Sequence, residues 1–149
     1  MIEIEVKVDT SRFDRMMSDF PAALARAQRV ALNQIGNTVK NHATDAFKDP
    51  SLRPEPWPPR KDRKKHPLLI RSGSLWRSIR YRLEGADTVV VGTDRKYAPY
   101  HQHGTKNMPA RPFFPVDRRG RLMPDVMEAI TRKAQKAYDD ELGRLFGAG

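Results

Sequence analysis

Between Pro21 and the Asp49-Pro50 pair, apolar residues return at three- and four-residue steps: Leu24, Ala27, Ala31, Ile35, Val39, Ala43 and Phe47. That spacing lays them along one face of a long α-helix. Pro21 sits where a first-turn proline is tolerated, and Gly36 weakens the helix slightly while permitting close packing. The Asp49-Pro50 pair ends it, because the residue before a proline is driven out of the helical region. Whatever the remaining residues form has to cover that stripe.

Strands are legible on either side. Ile2, Ile4, Val6 and Val8 alternate with Glu3, Glu5 and Lys7, the pattern of a half-buried strand. Residues 79–83 alternate in the same way, with Ile79, Tyr81 and Leu83 on one side and Arg80 and Arg82 on the other, and 88–92 reads as a buried strand. Glu84-Gly85-Ala86-Asp87 joins these two as a hairpin. Thr10 or Ser11 caps a short helical turn through Phe13, Met16 and Met17. Residues 72–79 suit a short helix or turn, with Trp76 in the core. From Pro124 onward Val126, Met127, Ile130, Ala134, Ala137, Tyr138, Leu142 and Leu145 recur at helical spacing, with Asp125 and Glu128 in the first turn, where carboxylates suit the helix dipole. The expected fold is α+β: a small, mostly antiparallel sheet packed by the long N-terminal-half helix and a C-terminal amphipathic helix.

A chain of 149 residues is long enough for one core and short for two, so residues 1–149 are expected to form a single domain. Between Pro50 and Pro67 proline and charge dominate, with Trp57 the one aromatic residue, which predicts an extended basic, proline-rich loop. A formal charge of +10 draws the protein to nucleic acid or to acidic protein surfaces through a salt-dependent field. There is no cysteine, so no disulfide framework and no thiolate metal site can form. The alternating start is not a signal peptide. No apolar stretch approaches the ~18 residues of a membrane span, and a soluble protein with no membrane partner is expected.

Chemistry is hard to place. The chain has no nucleophile elbow, no Gly-rich phosphate cradle and no helical pair of histidines with an acidic neighbour, so we expect neither an enzyme nor a cofactor. His101 and His103 diverge by about 200° on a helix and share a side only on a strand. That makes structural or interface roles the expectation for both; a nuclease built on either with Asp94 is the catalytic alternative. The run Arg60, Lys61, Asp62, Arg63, Lys64, Lys65 fits phosphates, an acidic protein surface or plain solvation. Trp57 reads as a loop anchor that fills a pocket, its own or a neighbour's. In Arg111-Pro112-Phe113-Phe114-Pro115 two adjacent rings cannot both point inward on an extended backbone, leaving one for a partner. Gly104 reads as a turn with positive φ.

One block of motifs carries a resemblance. Tyr97-Ala98-Pro99-Tyr100-His101-Gln102-His103-Gly104-Thr105 precedes Arg111-Pro112-Phe113-Phe114-Pro115, and upstream lie Pro56-Trp57-Pro58, Leu68-Leu69-Ile70, Ser72-Gly73-Ser74-Leu75, Ser78-Ile79 and Val89-Val90-Val91-Gly92-Thr93. In order and spacing this run, from Trp57 to Pro115, resembles the phage virion morphogenesis (tail completion) family of Mu-like tailed phages. Two departures are Ser72, where such proteins often carry Thr, and the basic insert between Pro59 and Pro67. The resemblance implies a structural virion protein that completes the tail or joins tail to head at the neck, assembled in the host cytoplasm. Its implied partners are copies of itself in a ring, read as a hexamer, the adjacent head-completion or connector proteins, and tail terminator or tube proteins, with non-specific contact to packaged DNA. Interface residues would be Trp57, Arg60, Lys61, Arg63, Lys64, Lys65, Tyr97, Tyr100, His101, His103, Gly104, Arg111, Phe113 and Phe114. The alternative is a basic nucleic-acid-binding protein acting on phage DNA.

Overall fold

The computed structural model describes residues 2–11, 21–63, 68–69 and 73–145. Strand β1 (Ile2–Lys7) leads to helix α1 (Pro21–Asp45), a 3₁₀ turn (Pro50–Leu52), short helix α2 (Ser74–Arg77), strands β2 (Arg80–Glu84) and β3 (Thr88–Thr93), helix α3 (Ala98–His103) and helix α4 (Pro124–Leu145). The expected turn through Phe13, Met16 and Met17 lies outside the described residues.

The sheet is antiparallel throughout, in the order β1-β3-β2. β3 pairs on both sides and is buried from end to end, which is why its residues read as a continuous apolar run. Gly85 takes φ 64° in the turn joining β2 to β3. Alternation sends Ile4, Val6, Val89 and Val91 into one core with Leu32, Ile35, Val39, Phe47, Val126 and Ile130. Arg80, Arg82 and Glu84 face the other way and are exposed. On that outer face Arg82 of β2 reaches Glu3 of β1 at 3.0 Å, a bridge that crosses the central strand. The fold is the expected α+β arrangement.

α1 lies over the sheet, and the long α4 packs along it. Close approach to β2 depends on Gly36: a Cβ there would stand 2.3 Å from the Tyr81 ring, whose hydroxyl donates to Asn33 Oδ1 at 3.1 Å. Past Asp45 the chain runs through a turn in which Asp49 Oδ1 accepts from Ser51 N at 3.0 Å and starts the 3₁₀ turn. Arg53 closes the end of α1 from outside, donating to Ala46 O (2.7 Å) and Phe47 O (3.1 Å).

Two residues of α4 depart from its apolar pattern. Met127 is 46% exposed at the rim of a cleft between β1, α1 and α4. Glu141 is 4% exposed and is held by Arg26 of α1 at 2.8 Å and by Arg144 at 3.3 Å. A carboxylate there is tolerated because both arginines reach it. No helix among the described residues is long and apolar enough to cross a membrane.

Candidate interaction site

The motifs at 57–59 and 111–115 are far apart in sequence and adjacent in space. Trp57 Nε1 donates to Pro112 O at 2.7 Å, and the Arg111 guanidinium donates to Pro58 O (3.1 Å) and Pro59 O (3.3 Å). A planar fork suits two neighbouring proline carbonyls, which have no N–H of their own to pair with. Trp57 is 9% exposed, edge-on to Phe47 at 6.0 Å, and the Arg53 guanidinium stacks on it 3.6 Å from the ring centre. The pocket Trp57 fills is therefore its own, which corrects its assignment to a partner surface. Arg111 is half-buried and spent on the same loop.

Phe113 and Phe114 are both buried, with rings 4.7 Å apart and Phe113 5.0 Å from Phe47. The expectation that one ring is free for a partner is thus overturned. Its premise was an extended backbone, in which successive N–H groups point to opposite sides. Here both amides turn to one acceptor: Gln102 Oε1 takes Phe113 N at 3.0 Å and Phe114 N at 3.1 Å. Gln102 was not singled out from sequence, and nothing in its local pattern marks it; only the long-range partner does.

α3 carries Gln102 inward and the tyrosines outward. Tyr97 is 40% and Tyr100 55% exposed. His101 is half-buried, edge-on to Tyr97 at 5.8 Å, while its carbonyl accepts from Arg111 N at 2.7 Å. Burial, and then the nearby Arg111 charge, push its imidazole below the ordinary value. His103 is exposed, and the two histidines lie on a helix, the geometry in which they diverge. Among the described residues no group of three or more acidic or histidine side chains is placed to hold a metal ion.

Gly104 ends α3 with φ 75° and ψ 174°, as its role in the motif predicts. Its N–H donates to Tyr100 O at 2.9 Å, and a Cβ would stand 2.8 Å from Ala110 N and 3.0 Å from Met108 O. Both the backbone angle and the space therefore call for glycine. The chain then doubles back through Thr105 and Met108, bonded to each other by main-chain groups, to reach Arg111.

The basic run contributes Arg60, Lys61 and Arg63; Lys64 and Lys65 lie outside the described residues. Arg60 pairs with Asp62 at 2.7 Å, whereas Lys61 and Arg63 are exposed. Arg60, Lys61 and Asp62 face Pro109 and Arg111 across a cleft of about 330 Å³, so the loop and the 109–111 segment share one basic surface.

The profile of the phage virion morphogenesis family matches residues 8–134 of this chain. The chain belongs to that family. The match takes in α1, the hairpin, α3 and the first half of α4, so it extends on both sides of the block from Trp57 to Pro115 that carries the motifs. Comparisons with curated proteins and with solved structures find no match. Membership makes this phage virion morphogenesis protein a virion-associated part of particle assembly.

Proposed function

We propose that the chain forms a ring, a hexamer, at the neck of the virion, where it completes the tail or joins tail to head, and that it performs no reaction. What supports this is the division of labour in residues 97–115. Their inner side is spent on the protein itself, through Gln102, Arg111, Phe113 and Phe114. Their outer side presents Tyr97, Tyr100 and His103 beside the exposed Arg95, Lys96 and Lys106. Exposed rings among cations, on a rigidly held helix, suit the anchoring role that aromatic residues take in protein interfaces. The neighbours in this reading are copies of the chain, the head-completion or connector protein above, and the tail terminator or tube protein below.

The test is Tyr97→Ser combined with Tyr100→Ser. The double variant should melt like the parent, since exposed substitutions shift stability by about 0.5 kcal/mol or less. It should also leave filled heads and free tails that fail to join. Normal yields of infectious particles would defeat the surface assignment, and a single copy per particle by quantitative mass spectrometry would defeat the ring.

The basic loop favours a second reading, a protein that acts on phage DNA. Binding by gel shift that persists above physiological salt and prefers particular sequences would support it; binding that fades with salt is the background of a protein charged +10.

A further inference from the structure

Both edges of the sheet are open among the described residues, and their backbone phases are set. Val8 N donates to Asp87 O at 2.9 Å. By alternation the even-numbered residues of β1 bond to β3, and the N–H and C=O groups of Glu3, Glu5 and Lys7 point to the open edge. On the other side of β3, Arg80, Arg82 and Glu84 are the bonded residues, and Tyr81 and Leu83 point outward. Because both strands are antiparallel to β3, they run in the same direction as each other.

A parallel ladder seats an outward-pointing residue of one strand between two outward-pointing residues of the next. If β1 of one copy is laid beside β2 of another, Glu5 sits between Tyr81 and Leu83, which puts it opposite Arg82. In that register Glu3 meets Arg80 and Lys7 meets Glu84. All six side chains lie on the outer face, and the charge order acid, acid, base along β1 meets base, base, acid along β2. Slipping by two residues sets Glu5 against Glu84, or Lys7 against Arg82. Charged edges usually keep sheets apart; these two are ordered to attract each other in one register. Glu5 and Lys7 are exposed and have no ion partner within the chain among the described residues.

We propose that copies of this chain join edge to edge, β1 of one running parallel to β2 of the next, with Glu3 opposite Arg80, Glu5 opposite Arg82 and Lys7 opposite Glu84. The contact is head-to-tail, the kind that closes into rings, and it deepens the ring reading above.

Lys7→Cys combined with Glu84→Cys tests it in particles assembled with the variant. Within one chain β3 separates these positions by roughly 9–10 Å, two strand spacings, which exceeds the reach of a disulfide at about 7 Å between Cα atoms. The parent has no cysteine, so every disulfide must join two chains. Oxidised particles should give a ladder of dimers, trimers and higher species on a non-reducing gel, and each single variant should stay monomeric. Dimers from Lys7→Cys alone would mean two-fold β1 pairing and overturn the proposal. An absence of links in particles that contain several copies would overturn it while leaving the ring standing. Absence of the parent protein from particles would defeat the functional reading instead, and linking of the purified variant in solution would then decide the edge contact alone.

An independent arm reverses charge. Lys7→Glu should lower particle yield about tenfold or more, as expected when like charges are juxtaposed, with an unchanged melting curve. Adding Glu84→Lys should restore the yield; a double variant as poor as the single one would overturn the proposal.

Discussion

Trp57 and Arg53 stack face to face, the guanidinium 3.6 Å from the indole centre, while the same arginine donates to the carbonyls that end α1. One side chain thus ties the end of the long helix to the loop that follows, and the indole passes the connection on to Pro112 at 2.7 Å. The loop is fastened at its start by this stack and further along by Arg111.

Trp57→Phe keeps an aromatic ring in the pocket and removes its donor. Pro112 O is then left buried without this bond, at a cost of about 1–3 kcal/mol. Trp57→Ala also empties the pocket and should cost about 3–5 kcal/mol. Urea denaturation of both variants checks the order; a Trp57→Phe variant as stable as the parent would mean that the Nε1 bond contributes nothing.

Gly104→Val combines a φ of 75° with a Cβ pressed against the main chain at 108–110. Strain of this kind costs roughly 1–3 kcal/mol, and the backbone atoms it meets cannot rotate away. The variant should melt several degrees lower and lose particle assembly more completely than solubility. A variant that yields normal infectious particles would remove the argument.

Gly36→Ala drives a methyl group into the Tyr81 ring and should destabilise by about 1–3 kcal/mol. Combining it with Tyr81→Ala should cost less than the sum of the two single changes, because the clash is removed with the ring. Strict additivity in thermal melts would show that helix and strand adjust without contact there.

Protonation of His101 is disfavoured in the folded chain, so the unfolded chain takes up the proton first as the solution is acidified. Folded stability should accordingly fall as pH drops below about 6.5, the ordinary imidazole value, and level off once the folded form is protonated too. His101→Gln should flatten that part of the profile. An unchanged slope between about pH 5 and 7 would assign it to other groups.

The periodic parts of this fold were legible before any coordinates. The stripe from Leu24 to Phe47, the alternation of Ile4 and Val6 with Glu5 and Lys7, and the hairpin at Gly85 follow from local rules, and the structure keeps all three. Local rules fail where a distant residue sets the backbone. Phe113 and Phe114 both turn inward because Gln102 gathers their amides, and Trp57 turns inward because Pro112 offers a carbonyl. Glu141 is hidden from pattern reading for a related reason, since a glutamate on a helix reads as solvated until Arg26 of another helix is placed beside it. Of the motif's residues, Tyr97, Tyr100 and His103 keep the exposure that contact with another molecule needs, and Gly104 keeps its predicted backbone.

The side of the sheet turned away from the helices has a further consequence. Glu3, Glu5 and Glu84 are matched there by Lys7, Arg80 and Arg82, so this face is electrically balanced in a chain whose formal charge is +10. The surplus lies elsewhere, on surfaces such as the 60–63 loop and the flank of α3. A polyanion drawn along the sheet would exchange few counterions and meet little drag, whereas the same polymer at the loop would be gripped. The sheet face and the loop thus differ sharply in the charge they would offer a polyanion.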